Sequence, residues 1–436
     1  MTVADRNAIA ADPAASPPAS PPVFAPVRLR FVANRRDYWR LMIRGNALQA
    51  VTLGLYRFWL FTDMRRSLWA GTELEDENFE YTGTALELLA GFMMALGVLI
   101  PVNMALLYAF LTSGTPTMST VIFVVLYGFG QFAAYRARGY RLARTVLRGL
   151  RFHQTGSGII FALRGILWWI LIFCTVGLAV PFMAASQERY RMRHTFYGNV
   201  AGRFEGSGWR LFRRGILLWV VVIAPLLYSL EQARQSIDWS AIQSLLSSEN
   251  LQTIISAVKQ VKGVSKAGTP ATAALVWSTF SGLVLFPAFL AIAMRWWLGG
   301  VRIGGAALAS DLRKRDIYGA YVRFLLYLLV FSIAFCVIGG IVAIVIIGSV
   351  SSVINFSVAS TARDAMLAIG VIVAYVVFIL GCSTIYQVAV RFRIWQLAVD
   401  SLIVSGLAAL ENVHARPAKA TAFGEGLADA LGTGSL

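Results

Sequence analysis

The stretch WRLMIRGNALQAVTLGLYRFWLF, residues 39–61, decides how the rest of the chain is read. It is apolar enough to enter a bilayer, yet it carries an early arginine, Arg44, and is basic at both ends. Arg28, Arg30, Arg35, Arg36 and Arg40 crowd its start, and Arg57, Arg65 and Arg66 its end. Arginine and lysine are retained on the cytoplasmic side of a membrane, so a segment positive at both ends is badly placed as a single crossing. Residues 158–183 repeat the pattern: Arg164 lies early, Arg144, Arg148 and Arg151 precede, and Arg189, Arg191 and Arg193 follow. Each run is expected to enter and leave from the cytoplasmic side as a re-entrant or interfacial helical pair. Gly45-Asn46 in the first and Gly177 in the second are the expected breaks. Irregular backbone at that depth requires cover from protein or from a wet cavity.

Six other runs are long enough to cross about 30 Å of hydrocarbon. They span approximately residues 86–110, 116–135, 209–230, 271–297, 321–350 and 365–386. Of 436 residues, 57% are hydrophobic and 14% charged, with a mean hydropathy of +0.65. Soluble domains carry about 25% charged residues, so a water-soluble fold is excluded. The formal charge is +17. The linkers 111–115, 231–269 and 351–364 hold five cations against four anions, and the remainder holds 34 against 18. Those three linkers therefore read as outward-facing and both termini as cytoplasmic. Residues 1–26 read as a disordered Pro/Ala-rich tail without the apolar core of a secretory signal. Residues 411–436 read as a second tail, with a short helix near 422–431.

An offset of 123 residues aligns two parts of the chain without gaps. Thr52, Gly54, Leu55, Arg66, Thr72, Gly83 and Leu88 fall on Thr175, Gly177, Leu178, Arg189, Thr195, Gly206 and Leu211. A fainter third copy has Gly381 followed twelve residues on by Arg393, the spacing of Gly54 to Arg66. Leu41-Met-Ile-Arg44, Phe161-Ala-Leu-Arg164 and Ala320-Tyr-Val-Arg323 correspond upstream. Short alternating segments ending at glycine, such as Phe79-Glu-Tyr81 before Gly83, flank the copies in the manner of strands. The expected fold is an all-α polytopic membrane protein. It has about six transmembrane helices and two re-entrant or interfacial segments in three parallel repeats, 27–134, 135–300 and 301–410, with a small cytoplasmic β layer. Parallel repeats relate by an axis along the membrane normal; duplication without a pore at that axis is the alternative.

Asn46, then Thr52-Leu-Gly-Leu-Tyr-Arg-Phe-Trp59, a basic aromatic helix, and Phe79-Glu-Tyr-Thr-Gly83 together resemble the signature of the YjgN-like family of bacterial inner-membrane proteins. The resemblance covers roughly residues 28–406. The second copy departs from it, with Ala179-Val-Pro181 where the first has Tyr56-Arg-Phe58. The resemblance implies an inner-membrane location and repeat architecture; it brings no activity and no catalytic residues.

Two arginine sets are the candidate sites. Arg44, Arg164 and Arg323 sit just inside apolar helices at matching repeat positions, where a charge is costly unless solvated or paired. Grouped around one axis, they would bind an anion or a lipid headgroup. Alternatively, each snorkels to the interface. Arg66, Arg189 and Arg393 lie on basic aromatic segments beside membrane runs, and are expected to contact anionic headgroups rather than nucleic acid. Gly54, Gly177, Gly381, Gly83 and Gly206 are expected to be structural. The three cysteines lie in apolar runs as small hydrophobes. No metal-ligand spacing, nucleophile motif or phosphate loop is present, so no cofactor is expected and an enzyme is disfavoured. Leu251, Ile254, Ile255, Val258 and Val261 recur at helical spacing and predict an amphipathic outer helix. The functional expectation is a transporter or channel for a small anionic or amphiphilic solute. A non-catalytic envelope scaffold binding lipid or a protein partner comes second, and a lipid-modifying enzyme third.

Overall fold

The computed structural model describes residues 26–113, 116–236, 262–353, 359–410, 413–415 and 423–431. The predicted outer amphipathic helix lies outside these. The described chain is organised as a strand, a pair of helices and a returning strand, five times over. The first unit is β1 (Val27–Arg28), β2 (Arg30–Phe31), α1 (Arg35–Val51), α2 (Arg57–Ala70) and β3 (Thr72–Leu74). The second is β4 (Glu77–Asn78), β5 (Glu80–Tyr81), α3 (Ala85–Ser113), α4 (Pro116–Ala143) and β6 (Thr145–Leu147). The third is β7 (Leu150–Gln154), α5 (Gly158–Cys174), α6 (Val180–Arg193) and β8 (Thr195–Tyr197). The fourth is β9 (Val200–Phe204), α7 (Gly208–Ser236), α8 (Lys262–Leu298) and β10 (Val301–Ile303). The fifth is β11 (Ala306–Ser310), α9 (Lys314–Val353), α10 (Ala359–Tyr386), a π-helical turn Gln387–Phe392, α11 (Arg393–Asp400) and β12 (Leu402–Ser405). A last helix, α12 (Phe423–Ala430), follows.

One sequence device makes the short helix pairs. In Thr52-Leu-Gly54, the Thr52 hydroxyl donates to Leu48 O (2.8 Å) and accepts from Tyr56 N (3.0 Å). The Gly54 N–H reaches back to Gln49 O at 2.8 Å. Leu53 and Gly54 hold φ of 50° and 92°, and Val176 and Gly177 hold 50° and 88°. Thr175 repeats the Thr52 bonds, to Leu171 O (2.7 Å) and from Ala179 N (3.2 Å). The left-handed step, which glycine tolerates without a Cβ clash, ends one helix and reverses the chain. Gly177 is thus the break expected of it. Gly45-Asn46 is not: both lie inside α1, and the turn comes at residues 52–56. A Cβ on Gly45 would stand 2.2 Å from Leu60 Cδ1, so this glycine lets α1 and α2 approach rather than part. Asn46 is spent on a buried 2.5 Å bond to Thr384 of α10.

The strands close into a ring. In every unit the first residues of the incoming strand pair with the returning strand of the unit before, and its last residues pair with the returning strand of its own unit. Leu150 and Arg151 face β6, for example, while residues 152–154 face β8. The first unit obeys the same rule with the fifth as its predecessor: Val27 and Arg28 pair with Val404 and Ile403, and Arg30 and Phe31 with Glu73 and Thr72. All ladders are antiparallel, so the ten strand stretches form a barrel without a free edge. Two-residue turns join successive units along one rim. Glu75-Asp76 and Arg148-Gly149 have positive φ at both positions, the hairpin geometry that matches strand twist. The helix pairs all leave from the opposite rim.

The barrel interior is apolar and filled. Leu29, Leu74, Leu147, Tyr197 and Val404 are all buried there, with Phe79, Phe152, Ile303 and Leu308 packed against them in one cluster. The equivalent tenth position is Gly202, which brings no side chain. Burial pushes the Tyr197 phenol pKa up, and its hydroxyl donates to Leu147 O at 3.0 Å. Past β12, Leu410 and Val413 pack against the same cluster, and His414 N–H donates to Asn199 at the 198–199 turn (3.2 Å). The tail therefore covers the turn-side mouth.

Among the described residues six helices are long and apolar enough to cross a membrane: residues 85–112, 117–143, 208–232, 272–298, 314–345 and 368–400. They correspond to the six runs read from the sequence, and the chain is a membrane protein. Leu29→Asp should abolish the folded monomer, because a carboxylate in the filled ring has no partner and costs several kcal/mol. Arg30→Gln, on the exposed face of the same strand, should leave the detergent melting temperature unchanged within about 2 °C.

Candidate lipid-facing site

The two arginine sets differ in their surroundings. Arg44 and Arg164 are exposed on α1 and α5, the latter with its guanidinium 4.9 Å from the Tyr190 ring centroid. Arg323 donates from Nε to Gly319 O of its own helix (3.0 Å). Among the described residues no bond or ion pair joins any two of the three. In the second set, Arg66 donates to Gly83 O at 3.0 Å and Arg189 to Gly206 O at 3.3 Å. Each ties the second helix of a short pair to the glycine that follows the next incoming strand. Those glycines are forced by close approach: a Cβ would meet the rings of Tyr81 and Phe204 two residues earlier. Arg393 has no such carbonyl; it donates to Gln396 Oε1 at 2.7 Å. Gly381 sits within α10, where a Cβ would stand 2.2 Å from the Phe331 ring, so it is a packing glycine and not a turn. The repeat match through Gly381 thus pairs positions with different local roles.

A different region gathers polar groups between the helices of the second unit and α6 of the third. Helices α3 and α4 are pinned near the ring by Glu87, which accepts from Tyr140 OH and from Arg144 Nη2, both at 2.6 Å. Farther out they bow apart. Pro101 lies inside α3 and supplies no N–H to its hydrogen-bond ladder. Asn103, two residues on, donates to Leu99 O at 2.9 Å. The resulting eye is partly filled by α12, whose buried Leu427 and Ala428 rest among Ala95, Leu99, Ala133 and Ala137. What remains is a cavity of about 790 Å³, with walls from Leu96, Ile100, Leu126 and Tyr127 and polar groups from Asn103, Gln131 and Arg191.

Arg191 comes from α6 of the neighbouring unit. Its Nη1 bonds Glu188 Oε1 at 2.5 Å, and its guanidinium lies 4.9 Å from the Phe161 ring centroid. Arg138 of α4 bonds Thr195 Oγ1 (2.8 Å) and Gln154 Oε1 (3.2 Å). The buried Arg191 Nε has no partner among the described residues. The arrangement suits a ligand with an anionic head and an apolar body, since guanidinium binds phosphate or carboxylate by paired hydrogen bonds. Among the described residues no group of His, Cys, Asp and Glu is placed to hold a metal.

A family model described as a bacterial protein of unknown function, DUF898, matches residues 26–430. The chain belongs to that family. This is the family of the YjgN-like resemblance carried by the Thr52–Trp59 and Phe79–Gly83 motifs. No curated protein and no solved structure matches the chain.

The Thr52–Trp59 and Phe79–Gly83 motifs contain none of the cavity's polar lining. Arg191 was legible only as one of several basic residues, and Glu188, Arg138 and Gln131 carried no repeat or motif signal. Glu188→Gln should destabilise the protein by about 2 kcal/mol, because the half-buried Arg191 guanidinium loses its carboxylate partner. The melting temperature in detergent reads this, and Glu188→Asp should recover part of the loss.

Proposed function

We propose that this protein is a lipid-binding membrane protein that holds an anionic amphiphile in the lateral cleft between α3 and α4, with the head at Arg191. The observation that carries this reading is the pairing of a filled axis with an open side. Apolar side chains occupy the ring, so the shared centre offers no wet path, whereas the cleft combines apolar walls with a guanidinium whose Nε lacks a partner. A volume of about 790 Å³ lies within the range of small-molecule sites.

The reading keeps the amphiphilic ligand anticipated from the sequence and exchanges axial conduction for lateral binding. The protein sits in the bacterial inner membrane with the ring and both termini on the cytoplasmic side, where the basic residues cluster. The short pairs α1–α2 and α5–α6 re-enter the bilayer. Two features support this. Each pair begins and ends on adjacent strands of one ring, and Trp219, about 16 Å along α7, donates to Val176 O at the α5–α6 turn (2.9 Å). The short-pair units repeat in parallel at the 123-residue offset, with α1 and α2 on α5 and α6 residue for residue. Arg44 and Arg164 then snorkel to headgroups.

Protein purified from the membrane in mild detergent should retain phosphatidylglycerol over phosphatidylethanolamine. Arg191→Gln should lower that retention about tenfold, the loss of one charge-assisted contact worth about 1.4 kcal/mol. Retention unchanged in Arg191→Gln would overturn the reading. So would an anion flux in proteoliposomes that disappears when Arg44, Arg164 and Arg323 are all replaced by glutamine.

A further inference from the structure

The inner half of the α3–α4 eye is occupied by the chain's own C-terminal helix, and a second arginine holds it there. Arg57 is the first residue of α2, directly after the Thr52–Tyr56 turn. Its guanidinium lies 5.1 Å from the Phe58 ring centroid and 4.9 Å from that of Phe92 on α3. Its ion partner is Asp429 of α12, and its Nε is buried with no partner among the described residues. We propose that Arg57 is a second anion-binding residue of the cleft, masked by Asp429, so that an anionic lipid and the C-terminal helix compete for one guanidinium. This rests on the lipid-site reading above.

Arginine keeps its charge in apolar surroundings, so losing Asp429 leaves a cation that must find another anion. Phosphate is the bidentate alternative, and the cleft that would deliver it begins at Ala430 and Leu431, the residues next to Asp429. The ion pair is not needed to build a short helix pair. At the position of Arg57 the third unit has Val180, and α5–α6 forms with the same turn and the same lengths. Nor is α12 self-supporting: eight residues are too few for a stable isolated helix, so it stays only while Leu427 and Ala428 are buried and Asp429 is paired. A ligand that takes Arg57 therefore favours release of α12, and release of α12 enlarges the site. By linkage the two effects have equal size.

The test uses the full chain in phosphatidylcholine nanodiscs with or without added phosphatidylglycerol, reading hydrogen exchange at residues 423–431 and phosphatidylglycerol retention. Phosphatidylglycerol should raise exchange there about fivefold or more. Asp429→Asn should raise it without the anionic lipid and increase lipid retention, whereas Asp429→Glu should behave as the unsubstituted protein. Arg57→Gln should give high exchange that no longer responds to the lipid. Exchange indifferent to phosphatidylglycerol, while Arg191-dependent retention persists, would overturn the competition and leave the lipid site standing. Absence of Arg191-dependent retention would remove both.

Discussion

Closure of the ring is the constraint on which everything else depends. The strand at residues 27–31 is divided between two partners: its first residues complete the fifth unit through Val404 and Ile403, and its last residues complete the first unit through Glu73 and Thr72. Ten short stretches, several only two or three residues long, could not hold as an open sheet, because a two-stranded ribbon is marginal in water and exposed edges recruit other chains. Closed, every stretch has two neighbours, and the apolar positions of all five units meet in a single core. The ring also sets the direction of the helices, since antiparallel pairing sends all helix pairs from one rim and all tight turns to the other. Arg28–Asp311, across the closing seam, and Arg148 with Glu75 and Glu77 add exposed or half-exposed ion pairs, which refine a registry that burial already imposes.

On a common platform the units differ in how their two helices meet. In the short pairs a Thr-x-Gly turn reverses the chain, and in the first of them the packing glycine Gly45 brings the helices together. In the second unit the helices are fastened near the ring by Glu87 and farther out stand on either side of α12. A membrane protein cannot leave such a gap lined by backbone carbonyls without cover, and the cover is mixed: part is protein, from α12, and part is cavity. Function is therefore expected at the gap in the second unit, not on the axis that all five share. A filled barrel is what ten inward apolar positions produce, as small barrels are occupied by their own side chains.

Much of this was legible in the residues. Hydropathy located six long helices, alternation located strand segments around the glycines, and the match of Thr52-x-Gly54 to Thr175-x-Gly177 located two turns. The ring escaped notice for a physical reason: strands of two to five residues carry almost no periodic signal, and β10 and β12 begin with Val301 and Leu402 where the other returning strands begin with threonine. Anchoring the last copy on Gly381 misled for a related reason, since a helix-packing glycine and a turn glycine look identical in sequence. Gly45-Asn46 misled likewise, its Gly-Asn composition suggesting a turn that the contact with Leu60 and the bond to Thr384 exclude. The cavity was out of reach, because Arg57 meets Asp429 across most of the chain and Arg191 reaches the second unit from the third.

Arginine on the helices is the thread joining these observations. A guanidinium among apolar side chains must reach outward to water or headgroups, pair, or bind. Arg44 and Arg164 are exposed and free to take the first course, and Arg66 and Arg189 take the second through backbone carbonyls. Arg57 and Arg191 do neither fully: each has one carboxylate partner and a buried Nε without a partner among the described residues; Arg191 lines the gap between α3 and α4, and Arg57 lies against Phe92 of α3, paired with the helix that partly fills that gap. A fold stabilised by apolar packing alone would gain nothing from two incompletely satisfied cations beside an open seam, since apolar residues of similar volume are as stable or more so. Their presence at that seam, and not at the symmetric positions where repetition alone would put them, is the strongest physical reason to read the cleft as a site for an anion carried on an apolar body.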